Sequence, residues 1–308
     1  MTQPSRGMDH TLYPYSAIDR RPKLVWPNDA RLAVTVLLHL EYWELEPPED
    51  ALRDPRFQGA FPTFFPDYMS FTAREYGNRV GIFRVLDALD RHDFRLTVPV
   101  NSAALERYPT LVRRLIDRDA EFVAHGSHAN RMVTSRMDKD AQLRLIEESV
   151  TAIERETGQR PTGWSGPSFG EAWETAEMVA EFGLDYVMDW PNDDQPYRMT
   201  TTPPIISVPR QPEWDDVESL WLRKVPNDRY IELVESAYAR LHEEGAVSGR
   251  YFSLSLHPWV AGQAHRIRYI EETLERIAAR NEGVWYATAG EVARHAKAVL
   301  SDGPGETG

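Results

Sequence analysis

The sequence predicts an α/β fold, a distorted TIM-like barrel of seven or so strand-then-helix units. Three observations carry this. Short apolar runs alternate with amphipathic stretches, the pattern of parallel strands joined by helical crossovers. No Gly-x-Gly-x-x-Gly or phosphate-loop pattern follows the first strand, which weakens an open nucleotide-binding sheet. No linker splits the 308 residues, a length that barrels reach as one domain.

The units follow in order. Arg31 to Leu40 is a buried-strand run after Pro27-Asn28-Asp29. Glu44 to Tyr68, rich in proline and aromatics, has neither period and reads as a long ordered loop; it is expected to pack over a cavity or a neighbouring subunit. Gly81 to Arg91 is an amphipathic helix, Arg95 to Val100 a strand, Pro109 to Arg118 a helix begun by proline, and Glu121 to Ala124 a strand. Lys139 to Thr157 is a long helix closed by Gly158. Gly163 to Ser165, Tyr186 to Asp189, Ile205 to Val208, Tyr251 to Leu256 and Val284 to Tyr286 read as strands. Ala172 to Phe182, Asp228 to Glu244, Ala264 to Arg280 and a segment from Ala289 read as helices. The tail from Ser301 is expected to be disordered.

Composition narrows the function classes. A net charge of −13 argues against nucleic acid and anionic membrane as partners and favours a small-molecule substrate. There is no cysteine, so there is no disulfide framework and no thiolate chemistry, which fits a reducing cytoplasm. Met1 to His10 is polar, without the apolar core of a signal peptide.

Barrel active sites sit at the carboxyl ends of the strands. The polar residues that end the strand runs are His39, Glu41, Asn101, His125, His128, Ser165, Asp189, Arg210 and His257. Ala124-His125-Gly126-Ser127-His128 is the richest stretch, because imidazole is both a common metal ligand and a proton carrier near neutral pH. Each residue alone has a bland reading: Glu41 as a solvated acid, Asp189 as a cap before Pro191, Trp164 and Trp190 as core. The set together reads as a hydrolytic constellation.

These residues resemble those of the polysaccharide deacetylase (NodB-homology) family, in the branch of metal-independent allantoinases and cyclic imide hydrolases. Arg31 to Glu41 is similar to that branch's first motif, in which an acid closes the strand. Arg74 to Gly81 resembles its Tyr-Gly-x-Arg-x-Gly segment, and Ala124-His125-Gly126 its histidine motif. Asp189-Trp190 with Asp193 to Tyr197 is similar to its Asp-Asp-x-Pro-Tyr loop, and Leu256-His257-Pro258 to its late histidine motif. The resemblance covers roughly residues 20 to 297 and implies a NodB-type catalytic barrel and a homotetramer.

There are departures. Typical members carry an acid pair at the first motif, where this chain has Glu41-Tyr42. They place two metal-binding histidines four residues apart, where this chain has His125 and Ala129, with His128 at three. They carry an arginine in the third motif, absent from Trp164-Ser165-Gly166-Pro167. One divalent metal, zinc, held by His125, His128 and Glu41, and metal-independent catalysis both stay open.

The expected chemistry is hydrolysis of a non-peptide carbon–nitrogen bond in a small cyclic amide, imide or ureide. Glu41 is the expected base, its pKa raised by burial; His257 is the expected acid, and His125 polarises the carbonyl. Tyr76, Trp164, Asp189, Trp190, Asp194, Tyr197 and Trp259 are the expected substrate contacts. A carbohydrate N-deacetylase is the alternative enzyme. A catalytically inactive barrel serving as a binding protein is the alternative outside enzymes, supported by Tyr42 in place of the second acid.

Overall fold

The computed structural model describes residues 7–57 and 66–300. Its centre is β1 (Leu32–Leu38), seven residues all buried, which explains why this run is apolar on both faces. The other strands are β2 (Leu96–Val100), β3 (Glu121–Ala124), β4 (Gly163–Trp164), β5 (Tyr186–Val187), β6 (Tyr197–Arg198), β7 (Ile206–Ser207), β8 (Arg250–Leu256) and β9 (Val284–Tyr286). The sheet order is β6-β7-β5-β4-β3-β2-β1-β8, with β9 also on β1. Every pairing is parallel except β6 with β7. The result is a curled parallel half-barrel, the expected distorted barrel. Near its seam, the Tyr251 amide donates to the Asp194 carbonyl (2.8 Å), and the Trp214 indole to the Ser253 carbonyl (2.7 Å).

The helices are α1 (Tyr68–Tyr76), α2 (Ile82–Leu89), α3 (Ser102–Arg107), α4 (Pro109–Ile116), α5 (Lys139–Thr157), α6 (Thr175–Glu181), α7 (Asn227–Glu244), α8 (Pro258–Ala261), α9 (Ile267–Ala279) and α10 (Ala289–Val299). The helix over 139–157 has the bounds its period gives; Asp138 caps its start and Gly158 takes the left-handed φ of 72° at its end. α10 begins with a reciprocal cap between Thr288 and Glu291.

Four elements differ from expectation. α1 begins at the last residue of the segment read as loop and fills a stretch to which no element was assigned, because Asp67 accepts from the Ser70 amide and starts a helix there. Between α1 and α2 the chain makes a π-turn over Gly77–Gly81 rather than breaking. α3 and α8 are single short turns at strand ends, below the length at which helical periodicity is readable. Of the proline-rich loop, residues 58–65 lie outside the described residues, as does the tail from 301. Among the described residues, no helix is long and apolar enough to cross a membrane.

Candidate active site

The carboxyl ends of β1, β3 and β8 deliver three side chains to one cavity of about 410 Å³. Backbone pairing continues past β1: the His39 amide donates to Leu256 and the Leu40 amide to Pro99, both at 3.0 Å. Glu41 therefore arrives with its backbone fixed, and Asn78 donates to its carbonyl at 2.7 Å. Its Oε1 lies 3.5 Å from His125 Nε2, 3.9 Å from His39 Nδ1 and 4.0 Å from His257 Nε2. One carboxylate oxygen thus faces three imidazoles.

Each of two imidazoles is oriented from behind. His125 donates from Nδ1 to the Ser165 carbonyl at 2.5 Å, leaving Nε2 buried without a partner. The positive φ of Gly126 (65°) lets the chain turn straight after it. His257 meets Asp216 twice: Nδ1 at 2.6 Å from Oδ1, and the backbone amide at 2.8 Å from Oδ2. His39 stacks on His257 with ring centroids 3.9 Å apart.

These contacts set the charges. Burial would push the His257 ring down, but Asp215, Asp216 and Glu41 outweigh it and raise its pKa to about 9. His39, buried and close to His257 and Arg210, is held well below the usual histidine range and is neutral. Glu41 reverses the sequence expectation. Burial acts upward on it as expected, but His125 and His257 beside it win and hold it at about 2. It is a standing carboxylate, not a group poised near neutral pH.

The cavity walls are Trp43, Phe57, Phe169 and Trp259, with Arg56, Arg210 and Glu218 at its polar side. Of the seven expected substrate contacts, Trp259 lines the cavity and the others sit elsewhere. Trp164 is fully buried in the core. Tyr76 contacts Arg84 through its hydroxyl at 2.5 Å. Trp190 and Tyr197 pack on Tyr13 of the N-terminal arm, 5.8 and 5.1 Å between centroids. Asp194 meets β8 through its carbonyl, while its neighbour Asp193 binds Arg21 with two bonds of 2.8 and 2.6 Å. Asp189 is turned inward, accepting from the Gly166 amide at 2.6 Å. The physical reason is common to these: strand ends point into the core or toward loops as well as into the mouth, and identity alone does not say which. The described part of the proline-rich loop does reach the cavity, through Arg56 and Phe57; Arg56 is held by Asp54 (2.7 Å) and Glu218 (2.5 Å).

The ligand set His125, His128 and Glu41 does not assemble. His128 turns away, its Nε2 3.6 Å from Glu44, because the turn after Gly126 sends the two rings apart. Among the described residues, two groups have ligand atoms within 4.8 Å of one another: His39, Glu41 and His257, all lining the cavity, and Asp215, Asp216 and His257, of which Asp215 and His257 line it. Both rings would have to give up a proton to hold a divalent ion: Arg210 Nη1 donates toward His39 Nε2, which leaves the proton of the neutral ring on Nδ1, and His257 is cationic with its Nδ1 on Asp216.

Sequence reasoning missed Asp216 and Phe169, named His39 and Arg210 only as strand ends, and named Trp43 and Phe57 only as aromatics of the proline-rich segment expected over a cavity. Asp215-Asp216 after Trp214 is the one local signal that was there to find; it sits in a buried π-turn approach without any period.

A family model for polysaccharide deacetylase matches residues 75–187. A Schizosaccharomyces pombe protein named a polysaccharide deacetylase is 24% identical over 312 residues, covering 90% of this chain and 92% of that one. The crystal structure of Puue allantoinase superposes with a TM-score of 0.81 at 26% identity, over 94% of this chain and 98% of that one. A Pseudomonas aeruginosa PAO1 structure named a polysaccharide deacetylase gives 0.79 at 25%, over 94% and 99%.

Proposed function

We propose that this chain, a hydrolase of the polysaccharide deacetylase family, cleaves a non-peptide carbon–nitrogen bond in a small cyclic amide, imide or ureide. The observation that carries this reading is the meeting of Glu41, His125 and His257 in a cavity of about 410 Å³ with aromatic walls. Flat aromatic walls such as Trp43, Phe57, Phe169 and Trp259 suit a planar heterocycle. The likeness to the allantoinase structure supports it.

In the proposed reaction a water oxygen bonds to the carbonyl carbon, the carbon–nitrogen bond breaks, and the nitrogen leaves with a proton. Glu41 Oε1 accepts a hydrogen bond from that water, and His125 Nε2, 3.5 Å from the carboxylate, stands beside it to orient the water and the carbonyl. His257, cationic up to about pH 9, gives its proton to the leaving nitrogen. That transfer removes one of the positive charges holding Glu41 acidic, so Glu41 gains proton affinity as the water's proton must be taken up. Were a divalent ion held by His39, Glu41 and His257, it would supply a Lewis acid to polarise the carbonyl, and His257, deprotonated as a ligand, would no longer be the proton donor.

A carbohydrate N-deacetylase is the second reading. An outer groove of about 630 Å³, sharing Arg56, Phe169 and Glu218 with the cavity, favours it by offering room for a longer substrate, as do the names of two relatives. We place the enzyme in the cytoplasm as a homotetramer acting on a small molecule, supported by its acidity, its lack of cysteine and the family resemblance. A turnover screen on small imides, ureides and chitooligosaccharides, run beside metal analysis, tests the reading. Ring opening is expected. Deacetylation alone would establish the second reading, and a folded, metal-replete protein that turns over none of them would overturn both.

A further inference from the structure

We propose that Arg210 anchors a carboxylate on the substrate, so that the ring cleaved in this cavity bears an acid group. The proposal rests on the hydrolase reading above and narrows its substrate class. Arg210 lines the cavity and is 2% exposed. Its Nη1 reaches His39 Nε2 at 3.4 Å, and the Phe169 ring covers the guanidinium at 3.7 Å. Its remaining two nitrogens, Nε and Nη2, are buried and have no hydrogen-bond partner.

Those two nitrogens form one edge of the guanidinium plane, the edge that takes a carboxylate with two parallel bonds. Two acids form ion pairs with it at distances too long for a hydrogen bond: Asp189 Oδ1 is 3.6 Å from Nη2 and Asp215 Oδ2 is 3.9 Å from Nη1. Asp189 already accepts from Gly166 and Ser165, and Asp215 from the Val217 amide. They balance the cation's charge without satisfying the hydrogen bonds of that edge. A buried charged donor pair without partners is unfavourable unless a ligand supplies them. Ser168 and Phe169 hold left-handed φ values of 54° and 58°, a conformation non-glycine residues seldom adopt, and this turn is what lays the ring on Arg210. Glu41 and Arg210 line the same cavity, so a ring held by its acid at one side can present a carbonyl at the other.

Calorimetric titration of the full chain at pH 7 with dihydroorotate and dihydrouracil tests this. The two are cyclic ureides that differ by one carboxylate. Saturating heat reports binding, and sustained heat reports ring opening. The parent should bind dihydroorotate about tenfold or more tightly than dihydrouracil. Arg210→Gln should bring the two within about twofold, and Arg210→Lys, which keeps the charge but not the fork, should fall between. Equal binding of the two by the parent, no binding of dihydroorotate at millimolar concentration, or a folded Arg210→Gln that keeps the preference would each overturn the proposal. If Arg210→Gln does not fold, the parent's own comparison and Arg210→Lys decide. Preference without sustained heat from either ureide supports the anchor and counts against the hydrolase reading; sustained heat without preference does the reverse.

Discussion

His257 is held on one face of its ring and at one nitrogen, by His39 stacked at 3.9 Å and by Asp216 at 2.6 Å. Its Nε2 is thereby aimed at Glu41. His257→Asn keeps a polar group of similar reach but cannot donate a proton near neutral pH, and kcat should fall by roughly 10²–10⁴-fold with circular dichroism unchanged. A folded variant at near the parent rate removes the acid assignment. Asp216→Asn makes a separate prediction. The parent should lose activity as pH rises through about 9, where His257 loses its proton. Without the Asp216 charge that limb should move toward neutral pH in a pH–rate profile, and kcat should drop. The same shift bears on stability. A histidine raised above its ordinary value stabilises the fold fully below that value of about 6.5, and the contribution disappears as pH climbs through about 9. At this scale the three converging residues were legible because each closes an apolar strand. Asp216 was not, since nothing about an acid before a π-turn says that it lies behind a histidine forty residues on.

The element scale explains the Tyr76 to Gly81 motif. The π-turn over Gly77–Gly81 runs against α8, the single turn that follows His257. A Cβ on Gly81 would meet the Pro258 carbonyl oxygen at 2.1 Å, and one on Gly77 the Trp259 amide at 2.6 Å. Both glycines therefore permit backbone-to-backbone contact beside the proposed acid. Gly81→Ala should destabilise the protein by ~1–3 kcal/mol, seen as a lower Tm, and should also lower kcat, because the strand end carrying His257 must shift. An unchanged Tm would mean that the two backbones part easily. Long elements such as α5 and β1 were readable from their periods, whereas α3, α8 and the two-residue strands exist only because their neighbours pair with them. The aromatic walls come from loops, whose path no period encodes; that is why Phe169 was missed and buried Trp164 was taken for a wall, while Trp43 and Phe57 were legible only as a cluster of aromatics needing burial.

For the whole molecule, the alternation of strands and helices fixed the architecture, and the family resemblance extends it to assembly. Light scattering on the purified chain should give about four times its 35.4 kDa mass, the homotetramer the resemblance implies. A monomer at micromolar concentration would set that expectation aside.

The place of β1 in the sheet has a consequence for how the protein comes to exist. Its full-length partner is β8, in register from Leu32 with Arg250 to Leu38 with Leu256. During synthesis β1 emerges early and waits, one long apolar edge uncovered, until the last fifth of the chain has been made. Until then the strand ends of Glu41 and His257 cannot meet, so catalytic competence arrives in the final stage of folding. Such late, non-local pairing makes for slow maturation and a nascent chain that depends on protection from aggregation.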